Sequence, residues 1–191
     1  FIASRLLKVG QRPINGIIDL TNYIALEWSQ PVHAYDMTKI TDKKIIVRMA
    51  KSGEVIELLD GNKIELTNQD LVIADAKIPM CLAGVRGGAS SSINNSTSSI
   101  LFESATFDSG TVRRSALRHK TRTDSSARFE KTLDPNQTTQ AAQRFLKLLD
   151  VCNIKFECDS DIICIGQPVK ENIIEVSHDF LEKRSGVKFQ E

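Results

Sequence analysis

Two side chains stand out as groups that can take part in chemistry: a histidine, His33, and a glutamate, Glu103. His33 lies in a short extended segment after a helix-like stretch, where a neutral imidazole can orient or deprotonate a water molecule. Its alternative role is that of a structural histidine bonded to the backbone. Glu103 lies among apolar residues in the strand-like run ILFES, so it either faces solvent or is buried for a reason. We find no Ser-His-Asp or Cys-His arrangement, which favours direct chemistry with water over a covalent intermediate.

A glycine-rich loop and two hydroxyl residues form a second group of candidates. Gly84, Gly87 and Gly88 follow a strand-like run, and the backbone N–H groups of this loop can stabilise an oxyanion. Alternatively, these glycines only make a tight exit from the strand. Thr123 and Ser125 can hydrogen-bond an ammonium group, a ribose or a water, or they can act as turn and capping residues.

The densest basic stretch lies in a helix-like segment and contains Arg113, Arg114, Arg118, His119, Lys120 and Arg122. Arg114 and Arg118 share one helical face at i, i+4, so the stretch can hold phosphates. A solvated basic face, or pairing with Asp108, Asp124 and Glu130, is the alternative. Aromatic residues are not interleaved with these cations, so stacking on single-stranded bases is not indicated.

Composition places the chain among ordinary globular proteins: 191 residues, 41% hydrophobic, 26% charged and a net charge of +1. This near-neutral balance gives no sign of a nucleic-acid or membrane protein, so any RNA contact must come from a local patch. No apolar run approaches the ~20 residues that span a bilayer, and we find no secretory signal.

The cysteine pattern argues against a zinc site and fits a reducing compartment. Cys81, Cys152, Cys158 and Cys164 form no C-x-x-C pair. Four unpaired thiols are typical of the cytosol. Cys158 and Cys164 lie in alternating apolar stretches, which predicts buried strand thiols at these two positions.

The elements that position these residues alternate between helices and short strands. Helices are predicted over 2–9, from Pro13, over 110–119 with a cap at Asp108 or Ser109, after a cap at Asp134-Pro135, and after a cap at Ser177. Strands are predicted between 44 and 85 with a hairpin at Asp60-Gly61, over 99–104, and as a hairpin over 153–166. No regular βαβ alternation is present. The predicted class is therefore α+β, with mixed or antiparallel sheets flanked by helices.

Five stretches, taken in order, resemble one family. They are RPINGIIDLTNYIALEWSQPVHAYD (12–36), LLDGNKIELTNQDLVIAD (58–75), LAGVRGG (82–88), ILFESATFD (100–108) and RTDSSARFEKTLDP (122–135). Their order and spacing resemble the editing domain of the bacterial-type phenylalanyl-tRNA synthetase beta subunit. Each motif alone is weak, but five in order are specific, and the resemblance covers about residues 1–165.

The resemblance implies one compact editing domain over 1–166, followed by a linker and the start of a truncated domain over 167–191. The chain begins at Phe1 rather than Met. We therefore expect it to be a piece of a longer protein.

The resemblance implies that the domain hydrolyses the ester of tyrosine wrongly attached to tRNA(Phe). This reaction takes place in a pocket remote from the synthetic site. Matched positions in the pocket are Arg12, Asn22, Pro31, His33, Ala83, Gly84, Glu103, Thr123 and Ser125. Glu103 is implied to bind the para-hydroxyl of tyrosine, and His33 to stand near the scissile ester as the catalytic residue. Phenylalanine would leave a buried carboxylate unpaired at a cost of roughly 1–3 kcal/mol, which gives the required direction of selectivity.

Several of these residues also have plain structural roles open to them. Arg12 can be a surface residue, Asn22 can make a structural hydrogen bond within its helix, and Pro31 and Ala83 can simply pack. Three positions depart from the family pattern: Ser125 replaces an expected Ala in the pocket, Arg86 an expected Met, and Gly16 an expected Asn. Ser125 bears on pocket size and selectivity, whereas the other two bear on packing or the pocket rim.

The resemblance also implies the partners. These are tRNA(Phe), weakly contacted by Arg113, Arg114, Arg118 and Lys120, and the alpha subunit of a cytoplasmic α2β2 synthetase. It implies no membrane, DNA or metal site, and no cofactor in this domain, because ATP and magnesium serve the synthetic site. A non-catalytic tRNA-binding or structural module of the same subunit is the alternative, and a free-standing domain a weaker one.

Overall fold

A computed structural model describes residues 1–166 and 172–189, and its first two elements are helices. Helix α1 spans Ile2–Lys8 and α2 spans Gly16–Glu27. Gly10, with φ 79°, follows α1 in the left-handed conformation that ends many helices. The expected start of α2 at Pro13 was early, because Asn15 accepts a hydrogen bond from the Ile18 N–H at 3.0 Å and caps the helix there.

An antiparallel ribbon of two strands crosses the middle of the fold. Strand β1 is Val32–Asp36 and strand β8 is Ile100–Ser104. Because successive side chains of a strand alternate between its faces, one face of the ribbon carries Val32 and Phe102 towards the helices. Phe102 stacks on Phe145 with ring centroids 4.1 Å apart. The opposite face carries His33, Tyr35, Leu101 and Glu103.

The remaining strands form two antiparallel sheets. A four-stranded sheet has the order β2 (Ile46–Met49), β5 (Leu71–Ala74), β6 (Pro79–Leu82) and β7 (Arg86–Gly87), and a hairpin joins β3 (Val55–Glu57) to β4 (Lys63–Glu65). The predicted turn at Asp60-Gly61 lies inside this hairpin, with Gly61 at φ 83°. Two short 3-10 turns, Met37–Lys39 and Thr41–Lys43, connect β1 to β2.

Three further helices cover the sheets. They are α3 (Ser109–Arg118), α4 (Asp124–Phe129) and α5 (Gln137–Val151). Asp108 caps α3 as expected, but the cap predicted for α5 at Asp134-Pro135 was wrong. Helix α5 begins after Asn136 without a side-chain cap. The Asp134 carboxylate accepts a hydrogen bond from the N–H of Asn136, which precedes the helix, and so it does not cap the helix itself. Helix α4 was not predicted.

Three buried clusters hold these layers together. One lies between the sheets and helices α3 and α4, and a second joins α1, α2 and α5 to the outer face of the ribbon. The third lies under the inner face of the ribbon and contains Tyr35, Ile40, Ile73, Met80, Cys81 and Ala83. The predicted α+β class is confirmed, and every strand pair in the described residues is antiparallel.

The C-terminal stretch departs from prediction. Residues 153–166 contain no strand, and Cys158 and Cys164 are exposed rather than buried. Ile163 and Ile165 are 75% and 95% exposed, so the alternating pattern has no core to face, and an isolated two-stranded hairpin is marginal in water.

The last residues that the structure describes contain one more helix. Helix α6, His178–Ser185, begins after Ser177 as predicted and buries no residue. The predicted linker begins at 167–171, which lie outside the described residues, and the domain division there stays a prediction. No helix in the described ranges is long and apolar enough to cross a membrane.

Candidate active site

The ribbon places His33 directly opposite Glu103, since the two are partners in the antiparallel register of β1 and β8. Tyr35 lies two residues after His33 and therefore on the same face. Its hydroxyl donates to Oε2 of Glu103 at 2.5 Å, and its ring meets the His33 ring edge-on with centroids 4.4 Å apart. The two residues predicted to carry the chemistry are thus neighbours, joined by an aromatic residue that was not predicted.

The carboxyl group of Glu103 has altered acidity. Burial raises its pKa from 4.5 to about 7, and the hydrogen bond from Tyr35 opposes that rise. Burial, together with the nearby Cys81 thiol and the Glu103 carboxylate, holds the pKa of Tyr35 well above its ordinary value. At neutral pH Tyr35 is therefore a permanent donor, while Glu103 is close to half-ionised.

His33 is shifted in the opposite sense. Burial lowers the pKa of its imidazole from 6.5 to about 4, so the ring is neutral at physiological pH. Its Nε2 atom is buried and has no hydrogen-bond partner among residues 1–166 and 172–189. A buried ring nitrogen without a partner is costly, and it is a natural position for a bound water or a ligand hydroxyl.

The glycine loop closes the site from the side of the sheet. A Cβ placed on Gly87 would lie 2.7 Å from Cε1 of His33, so any larger residue there would have to displace the His33 ring. Gly84 has φ 70°, and a Cβ there would meet Val112 at 2.8 Å and Phe107 at 3.0 Å. These glycines are required by close packing, which is a firm physical reason for the LAGVRGG pattern.

Part of the loop's backbone is already engaged. The N–H of Val85 donates to Leu82 at 2.9 Å and the N–H of Gly88 to Met80 at 2.7 Å. Two of the oxyanion donors expected from the sequence are therefore occupied. The N–H of Gly84 stays a candidate.

Thr123 ties helix α4 to this loop. Its hydroxyl donates to the carbonyl oxygen of Val85 at 2.7 Å and accepts from the Ser126 N–H at 3.1 Å. The Ser126 hydroxyl completes a capping box with the N–H of Thr123. Thr123 thus serves as the N-cap of α4, and Ser125 lies half-buried in the first turn of that helix.

The other predicted pocket residues are distributed unevenly. Ala83 packs in the same buried cluster as Tyr35, and Pro31 is buried at the start of the ribbon. Asn22 is half-buried on α2, and Arg12 is exposed between α1 and α2. Within residues 1–166, neither Asn22 nor Arg12 makes a side-chain hydrogen bond to the ribbon's inner face, and their place in a pocket stays a prediction.

The basic stretch divides into two parts. Arg118 contacts the fully buried Asp70 at 2.5 Å, and Asp70 also binds Ser115 and His119 at 2.7 and 2.8 Å. This network fastens α3 to the N-terminal end of β5 and was missed from the sequence. Arg114 lies 3.8 Å from Asp108, one of the pairings considered above.

The other cations face solvent. Arg113 and Lys120 are exposed, and Arg113 lines a cleft of about 310 Å³ between α3 and α4 together with Arg122 and Lys131. Arg122 pairs with Glu130 at 2.7 Å in this basic cleft, as one of the expected pairings. Three cations against one carboxylate leave the cleft positive, which suits a phosphate.

Sequence reasoning missed Tyr35 and Cys81 as parts of the site. The spacing of two between His33 and Tyr35 in an extended segment was the available signal, since it puts both on one face of a strand. Cys81 had no local signal, because only the sheet packing brings it next to Tyr35. No group of three or more metal-binding side chains occurs in the described residues.

Comparison with known proteins gives a consistent picture. A family described as the B3/4 domain matches residues 1–153. The chain is similar to the phenylalanine–tRNA ligase beta subunits of Bacillus cereus (44% identity, 78% of this chain), Geobacillus kaustophilus (42%, 78%) and Carboxydothermus hydrogenoformans (46%, 70%). It spans only 18%, 18% and 17% of the length of these relatives.

Proposed function

The chain belongs to the B3/4 domain family, and from this premise we propose that it is the editing domain of a phenylalanyl-tRNA synthetase beta subunit. The reaction proposed is hydrolysis of the ester that joins tyrosine wrongly to tRNA(Phe). The observation that supports this most is the half-buried Glu103 carboxyl, held by a phenol hydroxyl and opposed across the ribbon by an unpartnered imidazole. A desolvated acceptor next to a neutral base suits recognition of a hydroxyl beside a reactive ester.

Selection of tyrosine rests on Glu103. The para-hydroxyl of tyrosine donates to the carboxylate, whereas the ring of phenylalanine leaves it desolvated and unpaired. Hydrogen bonds to charged groups contribute about 1.5–3 kcal/mol, which corresponds to roughly 10- to 100-fold in selectivity. This preference is opposite to that of a synthetic site for phenylalanine, as editing requires.

Hydrolysis uses a water molecule that the site orients. An imidazole with a pKa of about 4 is a weak base near neutral pH, because an efficient base has a pKa close to the working pH. His33 therefore acts by hydrogen-bonding the water or a ribose hydroxyl through Nε2. The aminoacyl ester is already activated, so positioning and stabilisation of the oxyanion, with the Gly84 N–H as a donor, suffice.

The tRNA reaches the site past the basic cleft. Arg122 immediately precedes Thr123, whose hydroxyl is bonded to the loop that carries Gly87 against His33. Phosphates held by Arg113, Arg122 and Lys131 would thus lie near the segment that contacts this loop. Arg118 has a structural task at Asp70, so we assign it no primary role in tRNA binding.

In the parent protein this domain works beside other parts. We propose that the full beta subunit assembles with an alpha subunit into a cytoplasmic α2β2 enzyme, whose synthetic site uses ATP and magnesium. No cofactor is proposed for the hydrolysis itself.

The decisive assay compares release of tyrosine and phenylalanine from tRNA(Phe) by the full-length protein. The wild type should cleave the tyrosyl ester preferentially, and Glu103→Ala should lose the preference by at least about tenfold. Glu57→Ala, which removes an exposed carboxylate on β3, is the matched control and should change nothing.

Two outcomes would count against the proposal. Unchanged rates in both Glu103→Ala and His33→Ala would exclude this site. Failure of the wild type to cleave either ester, together with no binding of free tyrosine, would support a non-catalytic module whose pocket is altered by Ser125.

A further inference from the structure

On the inner face of the ribbon, the hydroxyl of Tyr35 donates a hydrogen bond to Glu103. It is fully buried, with its ring packed in the cluster of Ile40, Ile73 and Met80. Its hydroxyl lies 2.5 Å from Oε2 of Glu103. A phenylalanine would fill the same volume, so the distinctive contribution of Tyr35 is the hydroxyl.

The hydroxyl leaves half of the carboxylate available. A carboxylate has two oxygens with about four lone-pair sites, so it can accept from several donors at once. In the described residues, Oε2 of Glu103 accepts from Tyr35 and no protein hydrogen bond to Oε1 is present. Oε1 is therefore the oxygen that a second phenol can use.

The geometry points to Tyr35 as a positioning residue that determines specificity: its hydroxyl holds Oε2 of Glu103 in place and leaves Oε1 as the acceptor for the hydroxyl of a tyrosyl ligand. This inference rests on the proposed function. Two phenol hydroxyls then donate to one carboxylate. Tyr35 is the donor that the protein supplies, and the tyrosyl ligand is the donor that the site recognises.

The chemical consequence concerns the charge of Glu103. The groups that face it are Tyr35 and His33 from β1 and the Cys81 thiol from β6. His33 is neutral and burial raises the pKa of Cys81, so Tyr35 is the group here that stabilises the carboxylate form. A charged acceptor left unpaired by phenylalanine is penalised more than a neutral acid, so the Tyr35 hydroxyl sharpens discrimination.

The test is Tyr35→Phe in the full-length protein, with Tyr23→Phe as a matched loss of a hydroxyl. Tyr23 accepts a hydrogen bond from Arg5 in the helical layer, away from the ribbon's inner face. Two readouts are needed: the ratio of tyrosyl to phenylalanyl ester cleavage across pH, and the titration of the Glu103 carboxyl carbon followed by NMR.

We expect Tyr35→Phe to lower the selectivity for the tyrosyl ester by about tenfold near neutral pH and to move the Glu103 titration to higher pH, while Tyr23→Phe changes neither. A purely structural role would lower thermal stability and leave both readouts unchanged, which overturns the inference. A shifted titration with unaltered selectivity also overturns it.

The two proposals can fail separately. If the wild type cleaves tyrosyl ester selectively and Tyr35→Phe does so equally well, the inference fails and the editing function stands. If the wild type cleaves neither ester, the editing function fails, and the inference about a tyrosyl ligand fails with it even if the Glu103 titration moves.

Discussion

Replacing Glu103 by glutamine should change how the stability of the protein depends on pH. The folded-state pKa of about 7 lies above the ordinary value of 4.5, so folding takes up a proton between these two pH values. The free energy of unfolding that Glu103 contributes is therefore fully present below about pH 4.5 and is lost as the pH rises through 7. Glu103→Gln cannot ionise and escapes this loss.

The size of the effect follows from the two pKa values. Their difference, about 7 minus 4.5, is roughly 2.5 units, and at 1.36 kcal/mol per unit this gives about 3 kcal/mol as an upper limit. Solvent that reaches the half-buried carboxyl reduces it. The amide oxygen can still accept from Tyr35, so at acid pH the variant should lose about 1 kcal/mol or less.

The ionisation of His33 also changes the unfolding free energy with pH, so the effect of Glu103 has to be measured as a difference between variant and wild type. The folded-state pKa of His33, about 4, lies below the ordinary 6.5, so its contribution is present above about pH 6.5 and is lost as the pH falls towards 4. The trends of His33 and Glu103 nearly cancel between about pH 4.5 and 6.5. In the wild type alone, the contribution of His33 would therefore mask that of Glu103 in this range.

The assay is urea unfolding followed by far-ultraviolet circular dichroism from about pH 4 to about pH 8. The difference in unfolding free energy, variant minus wild type, should rise with pH by up to about 3 kcal/mol, with its midpoint between 4.5 and 7. A difference that stays constant over this range would refute the description of Glu103 as a desolvated carboxyl.

Three other predictions concern separate parts of the molecule. Gly87→Ala should push the His33 ring from its position, lower ester cleavage and destabilise the fold by about 1–3 kcal/mol, as measured by deacylation and urea unfolding. Asp70→Ala should lower the unfolding free energy by about 3–5 kcal/mol, because it leaves buried donors and a cation without their partner; a loss below about 1 kcal/mol would contradict this. Arg113→Ala should weaken tRNA binding, and the slope of the binding constant against salt concentration should indicate about one phosphate contact fewer. Lys63→Ala, on β4, should change neither quantity.

Local elements were largely predictable because their signals are local. The Asp60-Gly61 turn, the Asp108 cap of α3 and the Ser177 cap of α6 depend on a few adjacent residues. Predictions that required a partner from elsewhere in the chain were less successful. The pattern over 153–166 indicated a hairpin, but no buried surface receives it. Helix α4 is only six residues long, too short for a clear periodicity.

By itself, the sequence determined the α+β class, the family resemblance and the identity of His33 and Glu103 as candidates, since motif order and local periodicity are written along the chain. Only the tertiary structure decided their chemistry. The pairing of β1 with β8 joins residues about seventy positions apart, and the packing of Tyr35 and Cys81 around His33 and Glu103 removes water from these two groups. Desolvation sets their opposite pKa shifts, and desolvation is a property of three-dimensional packing that no single stretch of sequence contains.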